Sequence, residues 1–191
     1  MTREQAVRLA AEAGFDHWGI FPVGALRFLP EVRAACEENK CRAYGRSWTC
    51  PPACGSLAEC AARAKEYDWG ILLQTTGQME DDFDVEVMME AERVQKERFA
   101  AFCEAVGGAE DALPLGAGTC TICAKCTYPE APCRFPERSH PSMEAFGLQV
   151  TDVCQAAEIP YYYGPRTITY SSCALFRQSG AQTAAIQGKE S

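Results

Sequence analysis

The stretch CTICAKCTYPEAPCRFP, residues 120–136, places four cysteines within fourteen positions. The spacing is Cys-x2-Cys-x2-Cys-x6-Cys, formed by Cys120, Cys123, Cys126 and Cys133. Three thiolates separated by two-residue gaps allow the chain to surround a single metal ion or cluster. Two-cluster ferredoxins use a similar run, Cys-x2-Cys-x2-Cys-x3-Cys-Pro, to hold 4Fe–4S clusters. The segment therefore predicts a metal site with four cysteine ligands, and a 4Fe–4S cluster is its first interpretation.

Two departures from the ferredoxin run keep zinc open as an alternative. The last gap is longer, and Pro136 comes three positions after Cys133 rather than directly after it. Structural zinc takes four tetrahedral ligands, usually supplied by two separate pairs of residues. The unbroken triple run favours a cuboidal cluster, but spacing alone leaves both metals possible.

A second cysteine-rich segment lies earlier, in ACEENKCRAYGRSWTCPPACGSLAEC, residues 35–60. Five cysteines in 25 positions are too dense for scattered core residues, and glycines and prolines break any helical or strand period. We predict that four of them ligate a second metal site: Cys36, Cys41, Cys50 and Cys60.

Cys54 is the spare cysteine in this interpretation, because it lies in a turn. Cys60 is preferred, since it follows closely on a helix start at Ser56, where the helix N-terminus stabilises a thiolate. Whether Cys54 replaces Cys60 stays open. So does a cluster held by three cysteines, which would leave one iron free for catalysis.

The overall composition excludes several classes of protein. The chain has 191 residues and a formal charge of −8, which disfavours nucleic acid and anionic lipid as partners. No stretch approaches the roughly 20 apolar residues of a membrane span, and MTREQAVRLAAEAGF does not resemble a signal peptide. We therefore expect a cytoplasmic protein, in which the 12 cysteines stay reduced and bind metal rather than form disulfides.

Hydrophobic periodicity predicts alternating helices and strands. Helices are expected over 3–13, 30–39, 56–67, 81–107 and 141–159, the last with a break at Gly147. Strands are expected over 17–24 and 69–76, with a strand pair over 160–176. This order predicts an α/β or α+β fold, a small mixed sheet flanked by helices, with the two cysteine loops together at one end. We expect one domain over residues 1–180 and a flexible tail over 181–191.

The two cysteine blocks also carry a resemblance. ACEENKCRAYGRSWTCPP and GTCTICAKCTYPEAPCRFPERSHPSMEAFGLQV closely resemble a family of small prokaryotic, cysteine-rich proteins described as predicted metal-binding and of unknown function. The resemblance runs from about Gly14 to Phe176. It implies cysteine ligands at the eight positions named above and often another small residue at Cys54. It implies metal or iron–sulfur binding but no particular reaction.

The remaining candidate residues are not predicted to be metal ligands. Cys103, Cys154 and Cys173 lie within helical or strand patterns and are expected to be small buried hydrophobic residues. His140 follows the second cysteine run but is expected to be an exposed loop residue. Arg134 flanks the same run and is a candidate for tuning a cluster by its charge.

These inferences predict an iron–sulfur protein with two 4Fe–4S clusters that transfers electrons to or from an unidentified redox partner. Two alternatives stay open. One is an iron–sulfur enzyme whose open iron acts on a small, sulfur-containing substrate. The other is a protein-interaction module whose fold is stabilised by structural zinc ions.

Overall fold

The computed structural model describes residues 1–107 and 112–178, so the tail expected over 181–191 lies outside the described residues. The helices in the described part of the chain are α1 (Arg3–Glu12), α2 (Pro30–Glu37), α3 (Leu57–Ala64), α4 (Val85–Val106) and α5 (Val150–Ala156). The strands there are β1 (His17–Pro22), β2 (Trp69–Gln78), β3 (Ala112–Leu115) and β4 (Thr167–Phe176). Two short 3-10 turns cover Val23–Ala25 and Glu144–Phe146.

The strands form one sheet in the order β1-β2-β4-β3, and every pairing between them is antiparallel. The two central strands, β2 and β4, pair along their whole length, from Trp69 opposite Phe176 to Gln78 opposite Thr167. The α+β class is confirmed, and the sheet that the sequence predicted as mixed pairs only antiparallel strands in the described chain.

Alternating side chains of the sheet pack against two different layers. Ile71 and Leu73 face the layer of α1 and α4, where Phe99 and Phe102 are buried. Leu72 points to the opposite face, in a cluster that includes residues from α3, α5 and the 143–148 segment. Because a strand exposes successive side chains on opposite faces, both layers are built from one apolar strand. Cys60, the last cysteine of the first segment, packs in this second layer, and Cys54 packs against it.

The helix predicted over 141–159 is divided into two parts. The 3-10 turn Glu144–Phe146 ends at Gly147, whose φ of 78° is left-handed, and α5 begins only at Val150. A Cβ at Gly147 would collide with the Leu57 side chain, so the close approach of α3 also requires glycine there. The predicted break at this glycine is confirmed.

Two strand assignments differ from the sequence prediction. β3 was not predicted, because its four residues include Pro114; a proline is tolerated here since β3 lies at the edge of the sheet. Residues 161–163 were predicted as a strand but form none. Tyr161 and Tyr162 are exposed there, while the Tyr163 hydroxyl donates to Gln74 Oε1 at 2.7 Å. A hydrogen bond to the Gln74 side chain, rather than strand pairing, thus holds Tyr163 in place.

Ser56 is the residue whose helix-capping role can be tested most directly. Its hydroxyl accepts from the Glu59 backbone N–H at 3.2 Å, and the Glu59 carboxylate accepts from the Ser56 N–H at 2.8 Å, so the predicted capping box is confirmed. Ser56→Ala is expected to lower the free energy of unfolding by about 1 kcal/mol, measured by urea titration. Ser56→Thr, which keeps an acceptor, should lose less. Equal losses in the two variants would contradict the capping role.

Candidate metal centre

Arg33 lies beside the sulfurs of Cys54 and Cys60, and its charge also acts on the pKa of Cys36. Cys36 lies near the end of α2, Cys54 in the turn before α3, and Cys60 within α3. Their sulfurs lie against backbone carbonyls: Cys36 Sγ is 3.9 Å from Glu144 O, Cys54 Sγ is 3.7 Å from Ala145 O, and Cys60 Sγ is 3.5 Å from Cys54 O. We call these three residues the Arg33 cluster.

Arg33 ties the pieces of this cluster together. Its guanidinium donates to Ala145 O at 2.5 Å and to Gly55 O at 2.8 Å. The same Nη1 atom lies 3.7 Å from Cys60 Sγ and 4.0 Å from Cys54 Sγ. The side chain therefore connects α2 to the turn before α3 and to the 144–146 turn. It also places a permanent positive charge beside two sulfurs, where thiolate is stabilised.

Cys54 and Cys60 act as a pair. The pKa of Cys60 is lowered to about 7, first by the hydrogen bond with the Cys54 thiol and then by the Arg33 charge acting against burial. The same hydrogen bond, together with burial, raises the pKa of Cys54. The positive charge of Arg33 favours the thiolate form of this pair, and thiolate is the form that binds metal.

The second cysteine segment forms a pocket with part of the first. A cavity of about 250 Å³ is lined by Cys120, Cys123, Cys126 and Cys133 and also by Cys41 from the first segment. We call this cavity the loop pocket.

Side chains across the loop pocket hold its walls in place. Trp48 Nε1 donates to Ala131 O at 3.1 Å, and the Trp48 ring packs edge-on against Tyr128 with centroids 4.9 Å apart. Arg134 Nη1 donates to Lys125 O at 3.0 Å, so this arginine braces the loop in which it lies. These contacts join the two cysteine segments into one unit.

Cys126 shows that the two segments also share polar contacts. Burial alone would raise the pKa of its thiol, but four donors together lower it: the backbone N–H groups of Tyr128, Trp48 and Thr127 and the Ser47 hydroxyl. Two of these four donors come from the first segment. A thiolate at Cys126 is therefore stabilised by residues about eighty positions earlier in the chain.

Cys50 lies between the Arg33 cluster and the loop pocket. Its pKa is raised first by burial, and further by its closeness to the Cys41 and Cys120 sulfurs. The charge of Cys50 also raises the pKa of Cys54. We call the nine cysteines of the two segments the loop cysteines. The segments lie side by side, as the prediction of loops meeting at one end requires.

The eight predicted ligands are distributed differently from the two sequence segments. The predicted spare, Cys54, lies beside Cys60. Cys41 lines the loop pocket, and the charges of Cys41 and Cys50 act on the pKa of Cys36. Within residues 1–107 and 112–178, no three or more histidine, cysteine or acidic side chains are already gathered closely enough to hold a metal ion. The choice of ligands stays a prediction, and metal binding would require the sulfurs to draw together.

The other cysteines and the histidines lie apart from this group. Cys154 and Cys173 are buried and Cys103 is half-buried, consistent with packing roles. His17 stacks on Tyr163 with ring centroids 3.9 Å apart. His140, predicted to be exposed, is half-buried and packs edge-on against Phe99 at 6.1 Å.

Sequence reasoning missed Arg33. Arg134 lines the loop pocket, and its tuning role stays a prediction. The signal for Arg33 was present, because residues three apart share a helix face and Arg33 precedes Cys36 by three positions. No comparable local signal indicated Ser47 or Trp48, whose partners lie in the other segment.

Comparisons with known proteins give one result. A family model described as "Predicted metal-binding protein (DUF2284)" matches residues 19–176, which include all nine loop cysteines. No curated protein and no solved structure matches the chain significantly. None of the described helices combines the length and apolar content that crossing a bilayer requires.

Proposed function

The chain belongs to this family of predicted metal-binding proteins, and from that premise we propose that its loop cysteines hold two 4Fe–4S clusters used in electron transfer. Family membership supports metal binding in general. The cluster type and the electron-transfer role are the proposal, and the supporting observations follow.

The chemistry of the donors supports iron–sulfur clusters. The described residues that line the loop pocket include five cysteines and no histidine, aspartate or glutamate. Soft thiolates suit iron–sulfur clusters, zinc and copper(I), whereas carboxylates suit magnesium, calcium and manganese. The unbroken Cys-x2-Cys-x2-Cys run then favours a cluster over zinc, because a cuboidal cluster needs several closely spaced sulfurs.

The observation that carries the electron-transfer proposal is the closeness of the two cysteine segments. Cys41 of the first segment lines the same cavity as Cys120, Cys123, Cys126 and Cys133 of the second segment. A bound 4Fe–4S cluster supplies one-electron transfer, and neighbouring sites within one chain suit a relay. The chain's net charge of −8 suits a redox partner with a basic docking surface.

The chain's own residues would hold the clusters and tune them. We assign Cys120, Cys123, Cys126 and Cys133 to one site. The other site draws its ligands from Cys36, Cys41, Cys50 and Cys60, with Cys54 as the competing ligand. Arg33 beside Cys60 and the N–H groups facing Cys126 favour negative charge on the sulfurs, and such groups raise a reduction potential.

The first experiment is metal analysis of protein purified without oxygen. About eight irons and eight acid-labile sulfides per chain are expected, four of each per cluster. About two zinc ions and no sulfide would contradict the proposal and indicate a zinc-stapled interaction module. Iron without sulfide would also contradict it.

An iron–sulfur enzyme is the second candidate, and one observation favours it. A cavity of about 800 Å³ adjoins the loop pocket and shares Cys120 with it. An electron carrier has no need of such a space beside its ligands. Cluster spectra recorded with and without added small thiols distinguish the two functions, because only an open iron should respond.

A further inference from the structure

The large cavity is lined by elements from both sides of the second cysteine loop and is open to solvent on one side. One wall is the second half of α4, another is β3, and the third is formed by residues 116–122 and 137–140. Its volume of about 800 Å³ falls within the range of roughly 300–1,000 Å³ that is typical of small-molecule sites.

Apolar side chains form the body of the cavity. Phe99 and Phe102 project from α4, Pro114 comes from β3 and Ala174 from β4. All four are buried or nearly so. Val106 and Ile122 also line the cavity and keep exposed apolar surface, so a ligand that covers them gains free energy by removing that area from water. The bulk of any occupant is therefore expected to be apolar.

One polar group on the wall, His140, has unused hydrogen-bonding capacity. Ser172 is fully buried and its hydroxyl oxygen accepts from Gln95 Nε2 at 3.0 Å, so an occupant of the cavity does not reach it. The His140 ring packs on Phe99 but makes no hydrogen bond to any described residue. Burial first, and then the charge of Arg63, lower the pKa of His140. A neutral imidazole provides one donor and one acceptor.

The charges at the rim disfavour an anionic ligand. Lys96 is paired with Glu92 at 2.6 Å. Glu104 and Glu137 also line the rim, and neither has an ion-pair partner among the described residues. Arg138 lies over the Phe135 ring. The excess of carboxylates favours a neutral molecule over an acid.

We propose that this cavity binds a small, neutral, largely apolar organic molecule whose single hydrogen-bonding head group contacts His140. Thr119, Cys120 and Ile122 line both this cavity and the loop pocket, so the occupant would lie directly beside a predicted metal ligand. Binding itself does not depend on the proposed function. A role for the occupant as substrate does rest on it.

Fluorescence titration with N-phenyl-1-naphthylamine tests the proposal, because this probe is neutral, aromatic and carries one N–H group. Saturable binding of one probe per chain is expected. Ala100 lines the cavity on α4, whereas Ala105 is exposed on the same helix and does not line it. Ala100→Phe should weaken binding at least ten-fold by filling the space, while Ala105→Phe, the matched control, should bind like the parent.

A second variant tests the head-group contact. His140→Phe keeps a ring against Phe99 but removes both ring nitrogens, and should weaken binding about five-fold, as expected for one lost hydrogen bond. Thermal unfolding midpoints of all variants establish that they are folded. The proposal is overturned by equal binding in Ala100→Phe and Ala105→Phe, by no effect of His140→Phe, or by several probes per chain.

The same samples keep this inference separate from the proposed function. Iron, zinc and sulfide are measured on each variant alongside the titration. One-to-one probe binding in a protein that lacks iron would overturn the proposed function and leave the cavity assignment standing. Iron and sulfide in a protein that does not bind the probe would overturn the cavity assignment and leave the proposed function standing.

Discussion

Cys123→Ala is expected to remove about half of the iron and sulfide, leaving about four of each per chain. Cys123 belongs to the loop pocket, where four cysteines of the second segment line one cavity. A thiolate is a direct ligand, so its loss should empty that site. The Arg33 cluster is built from other residues and has its own bracing contacts, so the second site should survive.

The matched control for this variant is Cys103→Ala. Cys103 is a half-buried cysteine on α4, and burial raises its pKa to about 12, so its thiol stays protonated. Its replacement should leave iron and sulfide unchanged. Both variants are measured by metal analysis and visible absorption under anaerobic conditions. Iron that is unchanged in Cys123→Ala, or lost equally in both variants, would refute the two-site assignment.

Arg33→Met is expected to lower the free energy of unfolding by about 2–4 kcal/mol. The substitution removes two charge-assisted hydrogen bonds, to Ala145 O and Gly55 O, and leaves these carbonyls without that donor. It also removes the positive charge beside Cys60, so metal at this site should be lost as well. Urea unfolding and metal content per chain, measured on identically prepared protein, report the two effects.

Arg27→Met provides the control for this effect. Arg27 pairs with Asp152 at 2.7 Å, but its side chain is 67% exposed, and exposed pairs contribute only about 0–1 kcal/mol. Arg33→Lys should fall between the two, because it keeps a charge but loses the paired geometry of the guanidinium. If Arg33→Met costs no more than Arg27→Met, Arg33 does not hold the cluster together.

Local patterns predicted most of the secondary structure correctly, for identifiable reasons. The capping box at Ser56 and the left-handed Gly147 are sequence signals with a direct backbone meaning, and both appear in the structure. β3 was missed because a four-residue edge strand with a proline has no periodicity to detect. The Tyr161–Tyr163 run was assigned wrongly because aromatic residues favour strands in general, whereas here Tyr163 is held by Gln74.

The sequence by itself determined the family, the α+β class and the presence of two cysteine-rich segments, because these depend on spacing and composition within short stretches. Only the tertiary structure placed Cys41 in the loop pocket and Cys54 beside Cys60. In segments without a helical or strand period, the direction of a side chain cannot be predicted from the neighbouring sequence. Their arrangement is set by contacts such as Trp48 with Ala131, 83 residues apart, which exist only once the sheet has brought the two segments together.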